Sequence, residues 1–378
     1  MKRSTKARST RRVRSAKPAA VAPMSTEPRF VPPYPPSWVD RFTDWVDRLP
    51  MPWWSFYLIV ALVLEAVQVT ILWRDGILAI YGVQFFQLFF PVNYVLALFL
   101  MHAFDRRAMT ALERFRLALR PDASPYPRLL YELTTLPARP TIVAGLIGFA
   151  FGAFSVAAGQ VGLQDYPMFG LNASPTAFAF MLFSFVPTLW FWFTLIYHTI
   201  HQMRTVSRIY TRQTQVDLYR LQPVYALAGL TALTALGFAV YTYPWLADPG
   251  LQEGALPTAY STVVFLTLPF YVWPILIFVW PLWGAHRILV ERKETELAAV
   301  GHRRESITQR FHKRAERDPL VGMDEFHKAL ATIELEAAAL EKIPTWPWPR
   351  GMFRNLMAAF LLPVFIWLIQ FVLQKVLG

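Results

Sequence analysis

Seven stretches of the chain are apolar over close to the ~20 residues that a helix needs to cross about 30 Å of hydrocarbon. They run from Pro52 to Trp73, Tyr81 to Phe104, Thr141 to Gly159, Ala177 to Ile200, Pro223 to Leu246, Tyr260 to Trp283 and Leu356 to Leu373. With 55% hydrophobic and only 16% charged residues, 378 residues do not make soluble domains. The expected fold class is all-α: a polytopic membrane bundle of about seven spans.

Charge then orients the bundle. Of 37 lysines and arginines, all but Arg74 and Lys375 fall on one side of the seven-span topology. Cationic connections stay in the cytoplasm, so the N-terminus is expected inside and the C-terminus outside a bacterial cytoplasmic membrane. The net charge of +12 follows mostly from that bias and points to anionic lipid headgroups rather than nucleic acid as its partner. Cysteine is absent, which excludes disulfides, cysteine-ligated metals and thiol nucleophiles.

The chain divides accordingly. Residues 1–37 are basic and then proline-rich, the composition of a disordered cytoplasmic tail, with an Arg/Ser-rich transit peptide as the alternative reading. Over 38–50, Trp38, Val39, Phe42, Trp45, Val46 and Leu49 recur at helical spacing opposite Asp40, Arg41, Asp44, Asp47 and Arg48, which predicts an interfacial amphipathic helix. Residues 51–283 carry six spans as hairpins 52–104, 141–200 and 223–283. A cytoplasmic helical hairpin follows over 284–343, and 344–378 hold a Trp/Pro turn and the seventh span.

The hairpins look repeated. Pro175-Thr176-Ala177-Phe178 and Pro257-Thr258-Ala259-Tyr260 open the fourth and sixth spans 82 residues apart, each followed at the same offset by Pro187 or Pro269. That is the pattern of a parallel repeat. Pro91 and His102 in the first hairpin have the same spacing as Pro187 and His198, a fainter third copy. In the third span Gly145, Gly148, Gly152, Ser155 and Gly159 fall on one helical stripe, a seam that admits a close neighbour. Spans three and five, with their small-residue stripes, are expected at the centre, and spans four and six outside them.

Within 284–343, Leu297, Val300, Ile307 and Phe311 form one apolar stripe and Met323, Phe326, Leu330, Ile333, Ala337 and Leu340 another, interrupted at Asp318-Pro319. This predicts an antiparallel coiled-coil hairpin, basic on its first helix and acidic on its second, able to meet a cytoplasmic protein partner. Leu282-Trp283-Gly284-Ala285-His286-Arg287 and Ile343-Pro344-Thr345-Trp346-Pro347-Trp348-Pro349-Arg350 resemble a pattern found in uncharacterised multi-pass membrane proteins of bacteria. The resemblance covers roughly the last hundred residues and implies no particular activity.

Candidates for chemistry are few. Glu65 lies near the middle of the first span, where a carboxylate is costly and commonly serves transport or proton coupling. Gln68, Gln84, Gln87 and Asn93 are placed to hydrogen-bond it, and structural pairing of a protonated acid is the competing reading. His102, His198, His201 and His286 are expected at similar depth, where imidazoles titrate or chelate; contact with lipid headgroups is the simpler expectation. There is no phosphate-binding loop, HExxH, serine elbow or kinase signature, and no cofactor is implied. Three functions follow, in order: a non-enzymatic interaction or signal-relay protein acting through 284–343, a transporter or channel using Glu65, and a histidine-dependent intramembrane enzyme.

Overall fold

The computed structural model describes residues 30–76, 85–158, 174–246, 257–316, 323–349, 351–362 and 365. Among them the fold is helical, with two isolated bridges, Pro36 to Pro137 and Leu119 to Thr214, and no strand. In chain order the helices are α1 (Trp38–Asp47), α2 (Trp53–Arg74), α3 (Phe85–Phe115), α4 (Tyr126–Thr134), α5 (Ala138–Ala158), α6 (Pro175–Arg208), α7 (Gln222–Leu246), α8 (Pro257–Ala315) and α9 (Met323–Glu341). A last apolar helix, α10, spans Met352–Leu362.

Among the described residues, five helices are long and apolar enough to cross a membrane: Trp53–Arg74, Ala138–Val156, Phe178–Gln213, Gln222–Tyr243 and Val272–Arg314. The second expected span falls on α3. The seventh begins on α10, and most of it lies outside the described residues, as do Gly159, Gln84 and Asp318-Pro319. The surface of these helices is apolar where a soluble protein would be polar. Only 17% of the most apolar window of α2 is buried, and Leu58, Ile59, Leu62 and Val63 point outward. A face this large and this apolar is compatible with a membrane location.

At the centre, α3, α6, α7 and α8 pack on one another around Phe104, Phe115, Tyr210, Phe238, Tyr241 and Phe278. This corrects the expected order of helices. The third span, α5, packs chiefly on α6 and is peripheral, whereas the fourth and sixth spans are central. The glycine stripe explains why. A Cβ built on Gly148 would stand 2.2 Å from the backbone oxygen of Leu189, and one on Gly145 would stand 2.4 Å from the Trp190 ring. The stripe is therefore used up by the preceding helix's own hairpin partner. Ile142, Val143, Leu146, Ile147 and Phe151 are left facing outward.

The proline-rich segment 30–37 is built onto the fold, contrary to the expected disorder of the whole tail. Its extended backbone receives the Ala138 N–H at Pro35 O (3.2 Å), the Tyr34 hydroxyl donates to Thr135 O (2.9 Å), and the Tyr131 hydroxyl donates to Tyr34 O (2.6 Å). Ser37 then caps α1 in a reciprocal capping box with Asp40.

The long helix α8 continues for 59 residues through Pro269, Pro274 and Pro281. Its second half carries α9, which runs back along it. Phe311 stacks on Phe326 at 4.0 Å, Val300, Ile333 and Leu340 share a small core, and Arg303 and Arg304 pair with Glu336 and Glu334. At the foot, the Lys293 ammonium donates to Glu341 O and Ile343 O.

Candidate functional site

Polar side chains converge where α1, α3, α4 and α6 meet at one end of the bundle. On α3, His102 and Asp105 are three residues apart and so share a face. His198, His201, Gln202 and Thr205 occupy one face of α6 by the same rule. Both helices need their apolar stripes to pack, and these polar groups are carried into the interface with them. Such groups are tolerated there when they find partners.

Two carboxylate–imidazole couples result. His198 donates through Nε2 to Asp105 Oδ1 at 3.0 Å, and the Gln202 amide donates to the same oxygen at 3.2 Å. The Tyr57 hydroxyl lies 3.0 Å from His102 Nδ1, while His102 Nε2 stands 3.3 Å from Asp47 Oδ1. The Asp47 contact lies off the N–H direction, so it is an electrostatic contact rather than a hydrogen bond. Arg106 completes the second couple, bonding Asp47 at 2.8 Å and covering the Trp53 ring. His102 and His198 are buried, and Asp47 and Arg106 open the network to the surface.

A third contact joins the network to the N-terminal segment. His201 Nε2 donates to Glu132 O at 3.1 Å and faces the Tyr34 hydroxyl at 3.5 Å. The Glu132 carboxylate is held between Arg128 and Arg208. Nearby, Asp40 accepts from Ser37 N, Ser37 Oγ and Leu136 N. Burial, more than any neighbour, pushes its carboxyl up to about 6, with the Asp105 charge adding to the rise and the Ser37 and Leu136 bonds opposing it.

Within the protein, His198 meets a carboxylate and His201 a backbone carbonyl. His286 is apart from the other three: it donates to Thr345 O at 3.0 Å and stacks on Trp346 at 4.1 Å. Among the described residues no three His, Asp or Glu side chains gather as a metal site. Of the partners here, Asp105 and Glu132 carry no expectation from the sequence, and Asp47 enters it only on the polar side of the interfacial helix. Asp105 had a legible signal, since it stands on the same stripe as Met101, Ala108 and Leu112.

Glu65 lies on α2 with both carboxylate oxygens buried and without a hydrogen-bond partner, so neither Gln68 nor Asn93 bonds it. Gln68 is buried on the same face. The Gln87 side chain, like all of Gln84, lies outside the described residues. Ser155, at the end of the glycine seam, returns its hydroxyl to Phe151 O. Comparison of the chain with protein-family models, with curated proteins and with solved structures finds no match.

Proposed function

We propose that this chain is an integral protein of a bacterial cytoplasmic membrane, with seven spans, repeated hairpins and its N-terminus in the cytoplasm. In this reading it relays the state of its membrane bundle to a cytoplasmic protein through the coiled-coil hairpin 284–343 and catalyses no reaction itself. The continuity of α8 supports it most directly. One continuous helix of 59 residues, about 90 Å long, joins the central packing of the bundle to the seam with α9.

The foot of the hairpin is also held. His286, Trp346 and Trp348 stack in sequence, at 4.1 and 4.4 Å, and Trp348 continues onto Phe278 of α8. A shift of α8 against α6 or α7 therefore carries α9 with it. The cationic side of the chain, which holds the hairpin, supports the cytoplasmic placement. The same pattern of basic connections supports contact with anionic lipid at the membrane surface.

The test is a photocrosslinking amino acid at Leu335, an exposed apolar residue of α9. Relay through the hairpin gives a discrete crosslinked protein from Leu335 in intact cells, and that same protein no longer co-purifies with the chain in mild detergent when residues 288–342 are deleted. Absence of any crosslink from Leu335, with unchanged membrane insertion, overturns the reading.

A further inference from the structure

We infer that the chain carries a site for an acidic phospholipid, with the phosphate headgroup in a cavity at the foot of the hairpin and an acyl chain along the outer face of α7. The cavity is open-sided, about 340 Å³ in volume, and lies where the connection between α6 and α7 meets the end of α9. Leu218, Leu221 and Ile343 supply its apolar lining, and Tyr219, Gln222 and Lys342 bring polar groups to it. Leu218 and Leu221 also pack into the small core of the hairpin, with Leu289, Val300, Ile333 and Leu340. The two walls of the cavity are therefore held together by that core.

The polar lining suits an anion. Among the described residues, Lys342 is the one charged residue of the lining. Its side chain is exposed and held by no carboxylate, whereas the Lys293 ammonium is occupied with the carbonyls of Glu341 and Ile343. Gln222 opens α7, so the positive end of that helix dipole lies in the same wall. Of the acids close by in sequence, Asp217 accepts from the Tyr219 N–H at 2.9 Å, and neither Asp217 nor Glu341 lines the cavity. A cation, a helix amino end and hydroxyl and amide donors, with no carboxylate among them, match a phosphodiester.

The cavity continues onto an apolar track. Gln222 and Tyr225 of the lining begin a stripe on α7 that runs on through Gly229, Leu233, Leu236 and Val240 at spacings of three and four residues. Leu233, Leu236 and Val240 are exposed, while Thr231, Thr234 and Ala235 are buried. A Cβ on Gly229 would meet nothing within 4 Å, which leaves a notch in the stripe next to the cavity. The helix that carries this stripe is long and apolar enough to cross a membrane, and the cavity stands at its end. An anion site at the mouth of an apolar track fits a molecule with a phosphate at one end and a hydrocarbon chain at the other. A free phosphate would fill the cavity and leave the track uncovered. The inference rests on the membrane placement and on neither relay nor enzyme chemistry.

The experiment titrates the full chain in mild detergent with phosphatidylglycerol, phosphatidylcholine or inorganic phosphate and follows thermal unfolding. A saturable rise in Tm with phosphatidylglycerol, and no comparable rise with the other two, is the expected result. Lys342→Glu is expected to raise the half-saturating concentration at least about threefold, and Gly229→Leu, which fills the notch, is expected to raise it as well. Lys328→Glu makes the same charge change on α9 at a residue that does not line the cavity, and it is expected to leave the titration unchanged. An equal response to phosphatidylcholine, or equal weakening in Lys328→Glu, overturns the site in favour of general surface attraction. Unchanged affinity in Lys342→Glu overturns the headgroup placement, and unchanged affinity in Gly229→Leu overturns the acyl track. Saturation by inorganic phosphate alone overturns the lipid and leaves a phosphate ion, and no response to any of the three leaves the cavity to a protein segment. Crosslinking from Leu335 is read separately, so the relay reading stands or falls independently.

Discussion

Asp40 shows how one side chain sets the pH response of the N-terminal segment. Its carboxyl is buried between α1 and the turn before α5, which favours the neutral form and lifts it from 3.8 to about 6. The folded chain therefore holds a proton that the unfolded chain releases. The resulting stability is complete below about pH 4 and is lost as pH rises through about 6, a swing on the order of 2–3 kcal/mol. Asp40→Asn keeps an acceptor for Ser37 and Leu136 and is expected to flatten this part of the profile. Thermal unfolding between pH 4.5 and 7.5 checks it, and parallel slopes for the two proteins would contradict it. Burial on α1 was readable from its amphipathic spacing, but not that Asp40, drawn on the polar side, would be covered by Leu136. That contact joins residues 96 apart in sequence. The same distance problem hid Asp105 from His198: periodicity says which face is apolar, and nothing local says which faces meet.

At the scale of elements, hydropathy located the helices well because lipid imposes length and apolarity on each span separately. Their arrangement was less legible. The Gly145–Gly148–Gly152 stripe announced a close neighbour, and the structure supplies α6, its sequence neighbour, rather than a central partner. A stripe reports the closeness of a contact, whereas centrality depends on what covers the opposite face. The identity of the obstructing atom at each glycine ranks the consequences of substitution. Gly148→Ala drives a methyl into the Leu189 carbonyl, which cannot move without its helix. Gly145→Ala meets the Trp190 ring, which can turn, and Gly152→Ala comes no closer than 3.1 Å, to a terminal methyl of Leu189. Loss of stability is expected in the order Gly148, Gly145, Gly152, with Gly148→Ala costing about 1–3 kcal/mol. Ile147→Ala, on the exposed face, is expected to change little. Unfolding temperatures of the four variants in one detergent decide the ranking, and a tolerant Gly148→Ala would mean that α5 does not seat on α6 as described.

Across the whole molecule, membrane orientation and the direction of relay are one question. If the hairpin of α8 and α9 is to meet a cytoplasmic partner, the network of His102, Asp105 and His198 must lie on the same side, since α3, α6 and α8 reach that end together. The turns flanking the network offer direct reporters: Leu117 is 88% exposed, Tyr219 is 71% exposed, and Leu335 on α9 is 73% exposed. Gly76, just beyond α2, marks the opposite end with positive φ and no atom close to its Cβ position. Because the chain has no cysteine, a single cysteine introduced at each position labels without background. Charge asymmetry predicts that a membrane-impermeant maleimide leaves Leu117→Cys, Tyr219→Cys and Leu335→Cys unmodified in intact spheroplasts and modifies all three in inside-out vesicles. Asp75→Cys, beside Gly76, is expected to show the reverse. The three inner positions come from separate connections, so they test the arrangement rather than one loop. Labelling of Tyr219→Cys from outside while Leu117→Cys stays protected would place α6 and α7 on the wrong sides of the membrane, and the bridge between Leu119 and Thr214 that joins these two connections would then be impossible. Labelling of all three from outside would instead invert the molecule and remove the cytoplasm as the compartment into which α8 and α9 project.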